Sequence, residues 1–407
     1  MTRLLPPAKV LLLVLVLRTV ATLHAQSDKP QAGTYSLLYS FQCAPDGLQP
    51  ESGLVRDSSG NLYGTTIAGG EYGYGTVFKV TPDGTESILH SFGGSPLDGS
   101  SPFGITLDPG GNIYGITPVG GEFDRGSVFK VTATGREGIL YSFCPDNLMC
   151  TDGLNPAGGI ARDSAGNLYG TAQYGGIYGY GAVFKLTPGG TFILLHSFPD
   201  SQTDGLNPTT VTLDSSGNLY GTTEEGGAFQ RGTVFQVTPN GSESLLHSFK
   251  GHPSDGAVPT GGRLLRDTSG NLYGVTLEGG AKGGENSAGL GVVFKLTAGG
   301  TETVLLNFTG RGGFGPVDGL ARDEAGNLYG TTTFGGLSTS CGRNGCGVLF
   351  ELTAAGREIV LHNFTLNSSS DGANPEGGLI RDPSGNLYGT LYSGGAYGCG
   401  AVFKYTP

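Results

Sequence analysis

Residues 57–80 read DSSGNLYGTTIAGGEYGYGTVFKV and look like a single hairpin, yet near-copies of the stretch recur along the chain. With the Asn of G-N-[LI]-Y-G as marker, the copies fall at Asn61, Asn112, Asn167, Asn218, Asn271, Asn327 and Asn386. A repeat of this length with strand-like content marks a propeller or an array rather than one large core. Four strand candidates surround each marker: SGLVRD, NLYGTT, GTVFKV and SILHSF in the first unit, each bounded by Gly, Pro, Asp or Ser. Four strands per unit make one propeller blade. The 76 Gly in 407 residues would suit a disordered chain, but Tyr, Phe, Leu and Val recur at fixed positions, and no stretch holds a helical apolar period.

The order of elements predicts how the ring closes. A strand of the LLHSF type stands at 36–41, ahead of every other element, and the chain stops at Tyr405-Thr406-Pro407, after the third strand of unit seven. The predicted fold is therefore all-β, a seven-bladed β-propeller of four-stranded blades spanning 35–407, with residues 35–41 completing the last blade and leaving few open strand edges. Cysteines supply a check. If strands three and four form a hairpin about Asp83-Gly84, Tyr74 faces Gly93. Cys399 holds the Tyr74 position of unit seven and Cys43 the position of Gly94, within bridging range. This register predicts Cys43–Cys399, and short spacing predicts Cys144–Cys150 and Cys341–Cys346.

Arg3 and Lys9 precede the apolar run VLLLVLVL at 10–17, and small and polar residues follow it up to Ala25-Gln26. Residues 1–25 are expected to be a signal peptide, the apolar run being too short to span a bilayer. Export permits disulfides and places the mature chain in the periplasm or outside the cell, as a soluble monomer without a membrane span. A net charge of -11 argues against nucleic acid as a partner.

Most repeated residues read as scaffold. D-x-x-G-N, as in Asp57 to Asn61, supplies turn chemistry and too few oxygens for calcium. Tyr63, Phe78 and their equivalents fill the space between blades. His90, His196, His247 and His362 recur on strand four, which points to packing. No G-x-S-x-G, H-E-x-x-H or phosphate loop is present. The sequence calls for no cofactor, metal or catalytic set.

In a propeller, the loops from strand four to the next blade and from strand two to strand three share one face, and here they carry the length variation, so binding residues are expected there. Three features stand out. Asp46, Asp98, Asp152, Asp204, Asp255 and Asp371 sit in D-G-x-x-P just before the innermost strand, where they would ring the channel mouth or cap a tight turn; capping is favoured. Tyr72, Phe123, Tyr178, Phe229 and Tyr397 follow the double Gly. Exposed, they would stack on sugars; their repetition favours burial between blades. Finally, the loops after the double Gly of blades five and six are longer than the rest and bring in Lys282, Glu285, Asn286, Arg343 and Asn344.

The unit D-G-L-N-P…G-[LI]-x-R-D-x-x-G-N-L-Y-G-T-T…G-G…G-[TA]-V-F-K-[LV]-T resembles the GloVer tandem-repeat family of exported bacterial proteins, over residues 35–407. The resemblance implies an extracellular or surface-associated protein and carries no catalytic residues. Three functions remain: a binding or scaffold module for a glycan, peptide or small molecule; a lyase or hydrolase acting on extracellular polymers; and a purely structural exported protein. The scarcity of titratable groups unique to one blade favours binding over catalysis.

Overall fold

Each D-x-x-G-N segment reverses the chain because its Asp holds the turn together. Asp57 Oδ1 accepts the backbone amides of Ser59 and Asn61, both at 2.9 Å, and Oδ2 accepts Asn61 Nδ2 at 2.7 Å and the Tyr63 hydroxyl at 3.1 Å. The same clasp recurs at Asp108, Asp163, Asp214, Asp267, Asp323 and Asp382. It joins the first two strands of every blade, as the turn chemistry predicts. In a computed structural model describing residues 33–407 apart from 94, 96, 147, 202 and 282–287, these units form a seven-bladed β-propeller. The expected signal peptide at 1–25 lies outside the described residues.

Blade one runs Val55–Arg56, Leu62–Thr66, Thr76–Val80, Glu86–Ser91, with neighbouring strands antiparallel. The predicted hairpin register holds at Thr76↔Ser91 and Val77↔His90, and a bulge between Val77 and Phe78 then shifts it by one. A bulge at this place in every blade bends the outer strand and strengthens its twist. Blade seven closes as expected: Thr34–Ser40 pairs antiparallel with Ala401–Thr406, Thr34 facing Thr406. Cys43 and Cys399 are bonded beside this join with Cα atoms 5.4 Å apart, and Cys144–Cys150 and Cys341–Cys346 are also bonded.

One aromatic pair recurs at each blade junction. The Phe just after strand four of one blade meets the Phe in strand three of the next: Phe41–Phe78, Phe92–Phe129, Phe143–Phe184, Phe198–Phe235, Phe249–Phe294, Phe308–Phe350 and Phe364–Phe403. Ring centroids lie 5.0 to 5.4 Å apart, mostly edge to face, a favoured aromatic geometry. All fourteen rings are buried. Gly64 makes room for one of them, since a Cβ there would meet the Phe78 ring at 2.5 Å. Inner strands abut as tightly: a Cβ on Gly104 would lie 2.2 Å from the Gly159 Cα.

Phe235→Ala removes one such pair and should cost about 3–5 kcal/mol, whereas Phe229→Ala, at an exposed ring, should stay within about 0.5 kcal/mol of the wild type. Urea unfolding of the two variants checks this, and equal effects would contradict the interface described.

Candidate functional site

The loops of one face are built by backbone pairing. Gly47–Leu48 pairs with Ala68–Gly69, Gly99–Ser100 with Val119–Gly120, Gly256–Ala257 with Glu278–Gly279, and Gly372–Ala373 with Ser393–Gly394. The loop from strand four and the loop after strand two thus lie side by side, and all six cysteines belong to such loops. Positive φ at Gly69 and Gly70 lets the double Gly turn so tightly that Gly70 N donates to Asp46 O at 2.6 Å.

The aromatic residues on these loops are where the sequence reading fails. Burial was the favoured expectation, yet Tyr72, Tyr178, Phe229 and Tyr397 are 48, 58, 50 and 59% exposed, and Phe123 is half-buried. Backbone pairing anchors the loop, so the ring is released to solvent. Further apolar groups join them on this face: Ile177, Leu337, and Leu148 with Met149 inside the Cys144–Cys150 loop. Arg343 and Asn344 are exposed in a single 3-10 turn, Gly342–Asn344, enclosed by the Cys341–Cys346 bond. Lys282, Glu285 and Asn286 lie outside the described residues.

The six D-G carboxylates do not ring the channel mouth; they turn to the outer strand. Asp46 Oδ2 accepts the Tyr39 hydroxyl and Asp152 Oδ2 that of Tyr141, both at 2.6 Å. Asp98, Asp204, Asp255 and Asp371 face His90, His196, His247 and His362 at 3.3, 3.9, 3.1 and 2.9 Å. The second oxygens of all but Asp152 cap the turn, as Gly47 N on Asp46 Oδ1 at 2.6 Å illustrates, while Asp152 takes Cys144 N instead. The seventh junction has Leu306 and Gly312, so partner and acid are lost together. That joint loss was visible in the sequence, at two positions that elsewhere pair a His or Tyr with an Asp, and is the signal that would have paired them.

A Glu from strand four of the next blade completes three of these groups: His90–Asp98–Glu137, His196–Asp204–Glu243 and His247–Asp255–Glu302, each with its ligand atoms within 4.8 Å of one another. The residue types suit a divalent cation. However, Asp98 and Asp255 already accept backbone amides, so proton sharing between the two carboxyls satisfies the same geometry. Burial, aided by the neighbouring Asp46, Asp98 and Asp204 charges, pushes Glu86, Glu137 and Glu243 up to about 7. An open groove of about 670 Å3 over His90, Asp98 and Glu137 is also lined by Tyr72 and Leu97.

On the axis, symmetry breaks. Arg263 stands where five blades have Gly and one has Thr210, and its Nη2 crosses to Ile160 O at 2.7 Å and Ile105 O at 3.5 Å. Asp318 accepts the amides of Gly319 and Gly378, and burial pushes it up to about 6 against those bonds and the Arg263 charge. Both line a cavity of about 210 Å3 with Leu54, Leu264, Leu320 and Leu379. Nearer the loop face, burial and then the charge of Glu51 push Glu376 up to about 7, and Tyr392 feels both acids. Sequence reasoning missed all five of these polar residues, although aligning the inner strands sets Arg263 and Asp318 apart.

A family model for the Gloeobacter/Verrucomicrobia repeat matches residues 27–213, 121–337 and 282–407. The chain belongs to that family. No curated protein matches it. Among solved structures it resembles the extracellular domain of the one-component system BT4673 from B. thetaiotaomicron: 11% identity, TM-score 0.55, with 90% of this chain and 39% of that one covered. It also resembles the extracellular domain of the hybrid two-component system BT3049 from B. thetaiotaomicron: 15% identity, TM-score 0.57, with 92% and 41% covered. The chain thus spans about two fifths of each, and at these identities the likeness is one of fold. No helix among the described residues is long and apolar enough to cross a membrane.

The carboxyls set an acid-shifted stability profile. Folded Glu86, Glu137 and Glu243 keep a proton that the unfolded chain releases near 4.5, so their contribution is full below about 4.5 and is lost as pH rises to about 7. For the turn Asp residues burial alone would raise the pKa, but Asn and Tyr donors outweigh it and hold it below 3.8. Their contribution is present above 3.8 and is lost on further acidification. Urea midpoints should peak near pH 4–5 and fall toward pH 7, and Glu137→Gln should flatten the fall. A midpoint that climbs from pH 5 to pH 7 would contradict these assignments.

Proposed function

We propose that the chain is a secreted binding module that holds an extracellular glycan against its loop-bearing face. The observation that carries this reading is the set of exposed rings, Tyr72, Tyr178, Phe229 and Tyr397, standing on loops of four different blades. A ring left about half in water at a repeated position is not spent on the core, and its flat apolar face suits the C–H face of a sugar. Disulfides at blades one, three, six and seven stiffen that face and reduce the ordering cost of binding. Export is supported by the apolar leader pattern and by three disulfides. The acidic net charge favours neutral or cationic glycans. Screening the mature chain on a glycan array, then titrating the best hit, tests the proposal. Tyr178→Ala and Phe229→Ala should each weaken binding at least about tenfold, as expected for lost stacking of about 1–2 kcal/mol. An array without hits, or undiminished binding by both variants, would overturn it.

Glu51 and Glu376 favour a second reading, a lyase or hydrolase acting on extracellular polymers. Two carboxyls from adjacent blades stand beside Tyr392, and Glu376 lies up near 7, where it could exchange a proton in neutral solution. Incubation with polysaccharide panels checks it: release of reducing or unsaturated ends that Glu376→Gln abolishes would establish catalysis, and no release would leave binding alone.

A further inference from the structure

The opposite face, carrying the D-x-x-G-N turns, has a chemistry of its own. At each junction a Tyr of one blade meets a side chain from its own strand three and, from the next blade, the residue ahead of the turn Asp. Only three of the seven junctions combine Lys with Arg there: Lys404 with Arg56, Lys130 with Arg162, and Lys295 with Arg322. Grooves of about 230 and 220 Å3 open at the second and third of these. The groove between blades two and three is lined by Tyr114, Lys130, Arg162, Gly166, Thr187 and Pro188. Lys130 Nζ and Arg162 Cζ stand 5.3 and 5.7 Å from the Tyr114 ring centre.

The cations of this groove are under-satisfied. At the junction of blades four and five, Arg266 lies 3.8 Å from Asp214. Among the described residues, no carboxylate comes within 4.0 Å of Arg162 or Lys130. Asp108, the acid of this junction, is occupied by Gly110 N, Asn112 N, Asn112 Nδ2 and the Tyr114 hydroxyl. Arg162 Nε is enclosed and has no hydrogen-bond partner, while Nη1 only grazes Asp163 O at 3.4 Å. A Cβ on Gly166 would press on Arg162 Nη2 at 3.2 Å, so the guanidinium lies against the turn, as at the other Arg-bearing turns. An enclosed charged donor without an acceptor is costly, and an arginine fork matches oxyanions. Thr187 Oγ1 accepts Thr191 N and keeps its own proton to donate.

We infer that the groove between blades two and three is an oxyanion site, seating one sulfate, phosphate or carboxylate group against Arg162, Lys130 and Thr187. The groove of Lys295, Arg322 and Thr353 is its counterpart between blades five and six. A net charge of -11 repels extended polyanions beyond a Debye length, so the ligand is a small solute with a single acidic group. This site lies on the face away from the exposed aromatic rings and stands or falls independently of the glycan reading.

Isothermal titration of the full mature chain with sulfate, phosphate and glucuronate, at ionic strength held with chloride, tests the inference. Saturable binding of at least one probe is expected, and the preferred probe separates tetrahedral from carboxylate ligands. Arg162→Gln should weaken binding at that site at least about tenfold. Arg266→Gln, which removes a guanidinium already facing Asp214, should leave binding unchanged. Absence of saturable heat with all three probes overturns the proposal, and so does an equal loss in both variants, which would reveal only the general electrostatics of the face. The wild-type titration decides the matter even if Arg162→Gln does not fold.

Discussion

Everything in this molecule depends on one β ladder, in which Thr34–Ser40 lies along Ala401–Thr406. Its partners are separated by almost the whole chain, yet the entropy of closing a loop grows only with the logarithm of its length. The gain is not logarithmic. Blade seven becomes a complete sheet, Phe364 meets Phe403 on one side of it, and Phe41, carried in by the N-terminal strand, meets Phe78 on the other. An open string would expose an outer edge and leave aromatic surface uncovered. With both ends woven into one blade, the ring can part only by breaking this ladder or an intact blade interface, and Cys43–Cys399 ties the former.

What could be read beforehand follows from that economy. Blade number, closure and all three disulfides are properties of order and register, and register survives in the spacing of residues along a hairpin. The exposure of Tyr72 and its equivalents did not survive there. Repetition suggested packing, but the repeated work of that loop is done by backbone: Gly70 N on Asp46 O and Gly75 N on Gly69 O hold it without help from the ring. The turn-capping role of the D-G carboxylates was legible, but their outer-strand partners were not, for a related reason. Their chain position, just before the innermost strand, says nothing of a side chain that reaches back to Tyr39 or His90 on the outermost one. Contacts between blades, such as Arg162 over Tyr114, depend on blade twist and leave no spacing to read.

The repeat also separates structural from ligand-directed polarity. The turn Asp residues are saturated by their own Asn, Tyr and backbone donors, and the D-G acids other than Asp204 by His or Tyr and backbone amides; such groups have little capacity left for a ligand. Capacity remains where a polar group is left without its partner, even at a position that the repeat fills with Arg in five of seven blades. Arg162 keeps an enclosed donor without an acceptor, and Glu376 keeps a carboxyl beside another acid. In a molecule made of near-copies, an unsatisfied polar group is more telling than a conspicuous one.

Arg263 carries that argument to the axis. It fills a place that glycine keeps open in five blades, and it takes carbonyls from blades two and three across the channel, while Asp318 takes amides on the side of blades six and seven. Burying such charges seldom adds net stability, because desolvation consumes what the bonds return. Their effect is on geometry: the guanidinium ties blade five to the carbonyls of blades two and three across the axis. Because the aromatic loops and the cationic turns lie at opposite ends of the antiparallel strands, a ligand on either is recognised by the residues of that face.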